Sequence, residues 1–225
     1  MSAQQFVPGA PQRSAREVQA DFGEWMAAHR VSLSSALRWD AIIGHAEAKQ
    51  ELRGVLAALL QPQSLADVGA SLPRGLLLHG DPGTGKSLTA RTFAVELDRA
   101  ARSGGGEPVP FYEVPAGELG ADRLGQLGRW ASALAGPAVL YVDEIELWGA
   151  DRDSGVHDPA TRASLFAALS VLDGLADTSR LIWMASANKH PSQLDEALCR
   201  PGRFGYHIAL AGPDNVEIAQ LLSAQ

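Results

Sequence analysis

Eight residues constrain this chain more than any other stretch: Gly80-Asp-Pro-Gly-Thr-Gly-Lys-Ser87, entered directly from Gly75-Leu-Leu-Leu-His79. A short apolar strand feeding a glycine loop that ends in Lys-Ser, with a helix-like run after it, suits few architectures. The strand must lie inside a sheet, and the loop must stand at its carboxyl edge. Gly80, Gly83 and Gly85 can take backbone angles closed to other residues, so their amides can approach phosphate oxygens. Lys86 supplies positive charge, and the Ser87 hydroxyl is a hard oxygen ligand suited to Mg²⁺. The following run, Ser87–Leu97, would point the positive end of its dipole at the same place. Asp81, Pro82, Gly83, Thr84, Gly85, Lys86, Ser87 and Leu88 are therefore the expected triphosphate-binding residues.

Beyond this loop, apolar segments alternate with helical ones. Expected strands are Leu76–His79, Pro110–Val114, Ala138–Val142, Leu181–Ser186 and Tyr206–Leu210. Expected helices are Ser87–Arg102, Ala121–Leu134, Pro159–Leu175 and Gln193–Leu198. Such alternation predicts an α/β fold, a parallel sheet with helices on both faces. Ahead of it, Ser2–Gln12 reads as a flexible tail. Ser14-Ala-Arg-Glu17 has the form of a capping box. Val18, Phe22, Trp25, Met26 and His29 then recur at helical spacing, which predicts one amphipathic helix over Ser14–Arg30. Its aromatic stripe would pack on the main domain or serve as a docking face. A second helix is expected over His45–Leu60, stopped by Pro62.

The third expected strand delivers Asp143 and Glu144 at its carboxyl end, where parallel sheets place their ligand sites. One carboxylate there can complete a metal shell and the next can polarise an attacking water. Acidic pairs at strand ends are common, and this one gains weight from the phosphate loop two strands away.

From Trp39 to about Asp214 the chain resembles the large nucleotide-binding subdomain of AAA ATPases, most closely that of the membrane-bound AAA zinc metalloproteases of the FtsH type. Trp39-Asp-Ala-Ile-Ile-Gly44, with Ala46-Glu-Ala-Lys49, is similar to the stretch bordering adenine in that family. The resemblance thus adds Ile43 and Gly44 to the nucleotide site. Leu72-Pro-Arg-Gly-Leu-Leu-Leu78 enters the phosphate loop as family members do. Ala185-Ser-Ala-Asn188 resembles the sensor segment, which implies that Asn188 orients the attacking water. Leu194-Asp-Glu-Ala-Leu-Cys-Arg-Pro-Gly-Arg-Phe204 resembles the second region of homology. That likeness makes Arg200 and Arg203 candidate arginine fingers reaching a neighbouring subunit, although Arg-Pro-Gly-Arg alone would also read as a solvated turn.

The resemblance implies a P-loop NTPase three-layer sandwich with five parallel strands in the order 5-1-4-3-2 and a helical lid largely absent. It divides the chain into a tail and helix (1–38), the large ATPase subdomain (39–214) and the start of a lid or linker (215–225). It implies ATP and Mg²⁺ as cofactors, held by Lys86, Ser87 and Asp143, with Glu144 activating water. A homo-oligomeric ring, with six as the candidate number, and a protein substrate or adaptor are the partners it suggests.

Departures bear on the cellular task. Aligned with the family's pore loop of aromatic, hydrophobic residue and glycine stands Arg123-Leu124-Gly125, and Gly205-Tyr206 stands where Asp-Arg is usual. Trp130 reads as a core anchor. No His-Glu-x-x-His occurs, so the zinc protease site of the relatives has no counterpart among these 225 residues. A net charge of −7 argues against a broad nucleic-acid footprint. The single cysteine, the missing signal-peptide pattern and the lack of any bilayer-length apolar run lead to the expectation of a cytoplasmic chain. Two functions follow: an ATPase that remodels protein substrates, or a nucleotide-dependent binding and assembly module with little hydrolysis of its own.

Overall fold

In the core strands apolar residues stand next to one another, and consecutive side chains serve opposite faces of one sheet. A computed structural model describes residues 14–61, 67, 75–148, 159–174 and 178–212. The expected tail, the stop at Pro62 and the lid segment lie outside the described residues. The elements are α1 (Ala15–Ala28), β1 (Arg30–Val31), α2 (Ala46–Leu60), β2 (Gly75–His79), α3 (Lys86–Ser103), β3 (Phe111–Pro115), α4 (Ala121–Ser132), β4 (Ala138–Asp143), α5 (Pro159–Leu172), β5 (Leu181–Ala187) and β6 (Tyr206–Ala209).

The sheet order is β1-β3-β4-β5-β2-β6. The pairs β3–β4, β4–β5, β5–β2 and β2–β6 are all parallel, so the five expected strands take the order 5-1-4-3-2. Leu77, Leu140, Val142 and Trp183 face a core shared with Phe22, Met26, Leu124, Leu127 and Val171 of α1, α4 and α5. Leu76, Leu78, Val139, Tyr141 and Met184 face the other core, with Leu52, Val55, Phe93 and Leu97 of α2 and α3. The period of two along each strand divides the residues between these layers.

Three expectations are corrected. The helix predicted over Ser14–Arg30 ends at Ala28, and Arg30–Val31 forms a sixth strand, antiparallel to Tyr112 and Phe111 of β3. The carbonyl of His29 accepts from the Glu113 amide at 3.0 Å. This short strand satisfies part of a β3 edge that would otherwise present open donors and acceptors. The start of α1 follows its capping box: the Glu17 amide donates to Ser14 Oγ at 3.2 Å, and the Ser14 amide to Glu17 Oε2 at 2.7 Å.

The helix predicted over Gln193–Leu198 does not form. A single 3₁₀ turn, Pro191–Gln193, gives way to tight turns. The Asp195 carboxylate takes the Ala197 amide at 2.8 Å, a local bond that competes with helical pairing.

Arg123-Leu124-Gly125 is not a loop but the first turn of α4. Leu124 is fully buried, and the Arg123 guanidinium lies 4.2 Å from the centre of the Trp25 ring. The segment that links β3 to α4 is instead residues 116–120, and it holds no aromatic residue. Trp130 packs edge-on against Tyr112 and Phe22, as a core anchor should.

Candidate nucleotide site

The carboxyl ends of β2, β4 and β5 bring the expected groups together. Gly80 leaves β2 with φ +151°. A Cβ there would stand 2.1 Å from the Leu210 carbonyl oxygen, so the loop turns only because this residue is glycine. Gly83 and Gly85 hold φ of +82° and +87°, and open space lies where their side chains would be. Gly85 is the N-cap of α3, and Lys86 begins the helix. The Thr84 hydroxyl donates back to the Asp81 carbonyl at 2.9 Å and closes the turn. Asp81, Pro82 and Gly83 are exposed on its outer side, as is Leu88 on α3.

Lys86 is buried, with its ammonium on the carbonyls of Gly80 (2.8 Å) and Asp81 (3.0 Å) and on Asn188 Oδ1 (2.8 Å). Burial lowers its pKa, opposed by the charges of Asp143, Glu146, Asp81 and Glu144. The phosphate loop and the end of β5 therefore meet at one ammonium group. Across the site, Ser87 Oγ lies 3.2 Å from the Tyr141 hydroxyl, which donates to Asp143 Oδ1 at 3.1 Å. Burial pushes the Tyr141 phenol far up, so it keeps its proton. Ser186 also donates to Asp143 Oδ1 and accepts from the Glu144 amide at 3.1 Å. Glu144 is exposed at φ +59°, and the Asn188 amide group reaches it at 3.5 Å.

Ile43 and Gly44 are half-buried and lie just before helix α2. The residue of this stretch that touches the phosphate loop is His45, whose Nε2 is 2.9 Å from the Thr84 carbonyl oxygen. Sequence reasoning missed His45, because a histidine beside a glycine carries no signal of its own. It also missed Glu146, whose Oε1 accepts from the Asn188 backbone N–H at 3.0 Å while Oε2 is buried without a hydrogen-bond partner among the described residues. His79, at the end of β2, packs edge-on to His190 and His207, and burial lowers its pKa.

The two arginines stand apart from these groups. Arg200 is exposed and pairs with Glu196 at 3.1 Å. Arg203 makes a bidentate pair with Asp173, at 2.6 and 2.7 Å. That pair further raises the Arg203 pKa. Gly205 closes the turn after them, and a Cβ there would lie 2.8 Å from the Arg200 carbonyl oxygen.

The model of the family described as ATPase family associated with various cellular activities (AAA) matches residues 76–211, which hold every strand of this site. The chain belongs to the AAA family. Among the proteins it resembles, mouse ATP-dependent zinc metalloprotease YME1L1 is 37% identical over 183 residues, 78% of this chain and 24% of that protein. Drosophila melanogaster YME1L, of the same description, is 37% identical over 192 residues, 82% of this chain and 24% of its own. ATP-dependent zinc metalloprotease FtsH 1 of Thermomicrobium roseum is 34% identical over 203 residues, 86% and 29%. The chain thus spans roughly a quarter of the length of these relatives. AAA membership makes it an ATPase module that works with ATP and Mg²⁺.

The AAA site found here fits that pair. Four carboxylates, of Asp81, Asp143, Glu144 and Glu146, surround the one ammonium of Lys86, an excess that a divalent cation would offset. Ser87 and Asp143 offer the hard oxygens such a cation prefers. Among the described residues no helix is long and apolar enough to cross a membrane.

Proposed function

We propose that residues 39–214 form the large ATPase subdomain of a ring-forming protein remodeller. The supporting observation is the convergence of Lys86, Ser87, Asp143, Glu144 and Asn188 at one sheet edge. In this reading Lys86 exchanges its carbonyl partners for phosphate oxygens, while the loop amides and the start of α3 hold the remaining charge. Ser87 and Asp143 hold Mg²⁺, which when bound draws charge from the β- and γ-phosphate oxygens. Glu144 accepts a proton from the attacking water, and Asn188, fixed to both Lys86 and Glu144, orients that water.

Arg200 and Arg203 act in trans, since neither touches the loop of its own chain. A guanidinium at the γ-phosphate is worth about 10³–10⁵ in rate. Six copies in a ring and a protein substrate are the assembly this reading implies. Pairing of both arginines with local carboxylates favours a second reading, the binding module with little hydrolysis.

The two are separated by measuring phosphate release per protomer across a dilution series. The ATPase reading expects a rise with protein concentration, and expects Glu144→Gln to keep ATP affinity while turnover is lost. Absent turnover throughout the assembling range would favour the binding module.

A further inference from the structure

The buried hydroxyl of Tyr141 stands between the two side chains assigned to the cation, and hydrogen-bond direction there is determined. A carboxylate only accepts, so Tyr141 uses its one proton on Asp143 Oδ1. It can then face Ser87 Oγ, 3.2 Å away, only with a lone pair, and Ser87 must be the donor. On the other side, Ser186, itself fully buried, uses its proton on the same Oδ1 and its lone pair on the Glu144 amide. The chain of bonds therefore runs from Ser87 through Tyr141 to Asp143, and from Glu144 through Ser186 to Asp143.

This ordering matters because a cation is repelled by a hydroxyl proton and attracted by lone pairs. With its proton held by Tyr141, Ser87 keeps its lone pairs for an electrophile. Two donors on Oδ1 leave Asp143 Oδ2 without a hydrogen bond among the described residues. An apolar ring at position 141 would free the Ser87 hydroxyl to rotate and would remove half of what fixes the Asp143 carboxylate.

We propose that Tyr141 and Ser186 are positioning residues that pre-orient Ser87 and Asp143 for the divalent cation and tie that pair to the backbone of Glu144. The proposal rests on the assignment of Ser87 and Asp143 to the cation.

The test uses the full chain loaded with a slowly hydrolysed ATP analogue, with Mn²⁺ binding followed by electron paramagnetic resonance. Affinity for the same analogue in EDTA is measured alongside. Tyr141→Phe keeps the buried ring, which stacks on Phe111 at 6.1 Å. It should weaken Mn²⁺ by about three- to tenfold, the loss expected for one hydrogen bond, with metal-free affinity within about twofold of wild type. Ser186→Ala breaks the other arm and should give the same selective loss, so it decides the matter where Tyr141→Phe does not fold. Unchanged Mn²⁺ affinity in a folded variant would overturn the proposal, and so would a parallel fall in metal-free affinity. Asp143→Asn separates the two assignments: if it also leaves Mn²⁺ affinity intact, the cation reading fails together with the relay.

Discussion

Gly80 shows how one residue sets the course of the site. Its positive φ and the Leu210 carbonyl where a Cβ would be leave no room for any side chain. Gly80→Ala should cost about 1–3 kcal/mol through overpacking, with the positive φ adding to it. Chemical denaturation of the nucleotide-free protein should show this as a lowered midpoint, and nucleotide affinity should fall with it. A midpoint equal to wild type would mean that the loop is not held as described. Single residues of this kind were legible beforehand, because a glycine loop ending in Lys-Ser has few uses. Tyr141, Ser186 and His45 were not legible: each takes its role from at least one partner distant in sequence, Ser87 for Tyr141, Asp143 for Ser186 and Thr84 for His45, and no local pattern encodes that distance.

At the scale of elements, hydrophobic runs placed all five parallel strands, since a buried strand leaves an unbroken apolar signature. Two of the three corrected expectations lie where polar contacts override periodicity. Asp195 diverts an amide from a helix, and the open edge of β3 draws Arg30–Val31 out of one. The aromatic face of α1 is used for packing on the main domain: Phe22 is 3% exposed and lies against Trp25 and Trp130. Phe22→Ala should therefore cost about 3–5 kcal/mol, read as a fall in unfolding free energy of the whole chain. A value below about 1 kcal/mol would show that α1 is a separable appendage.

At the scale of the whole molecule, the two arginines differ in what holds them. Both are proposed to act on a neighbouring site, yet they are held very differently at home. Arg200 is largely exposed and carries only a surface pair, worth about 0–1 kcal/mol. Arg203 has a side chain only 16% exposed and a two-pronged grip on Asp173. Arg200→Ala should abolish concentration-dependent phosphate release while leaving the melting temperature within about 2 °C of wild type. Arg203→Ala should lower both. Equal melting temperatures for the two variants would contradict the local role of Arg203. The second region of homology was readable as a motif, but the division of labour inside it depends on Asp173, which sits in the turn just after α5.

The added edge strand also has a mechanical meaning. Any tether attached ahead of Ser14 would hang this molecule from α1 and from two residue pairs stitched to the flank of β3, the neighbour of the strand that ends in Asp143. Hauling on such a tether would load that seam before any other part of the sheet.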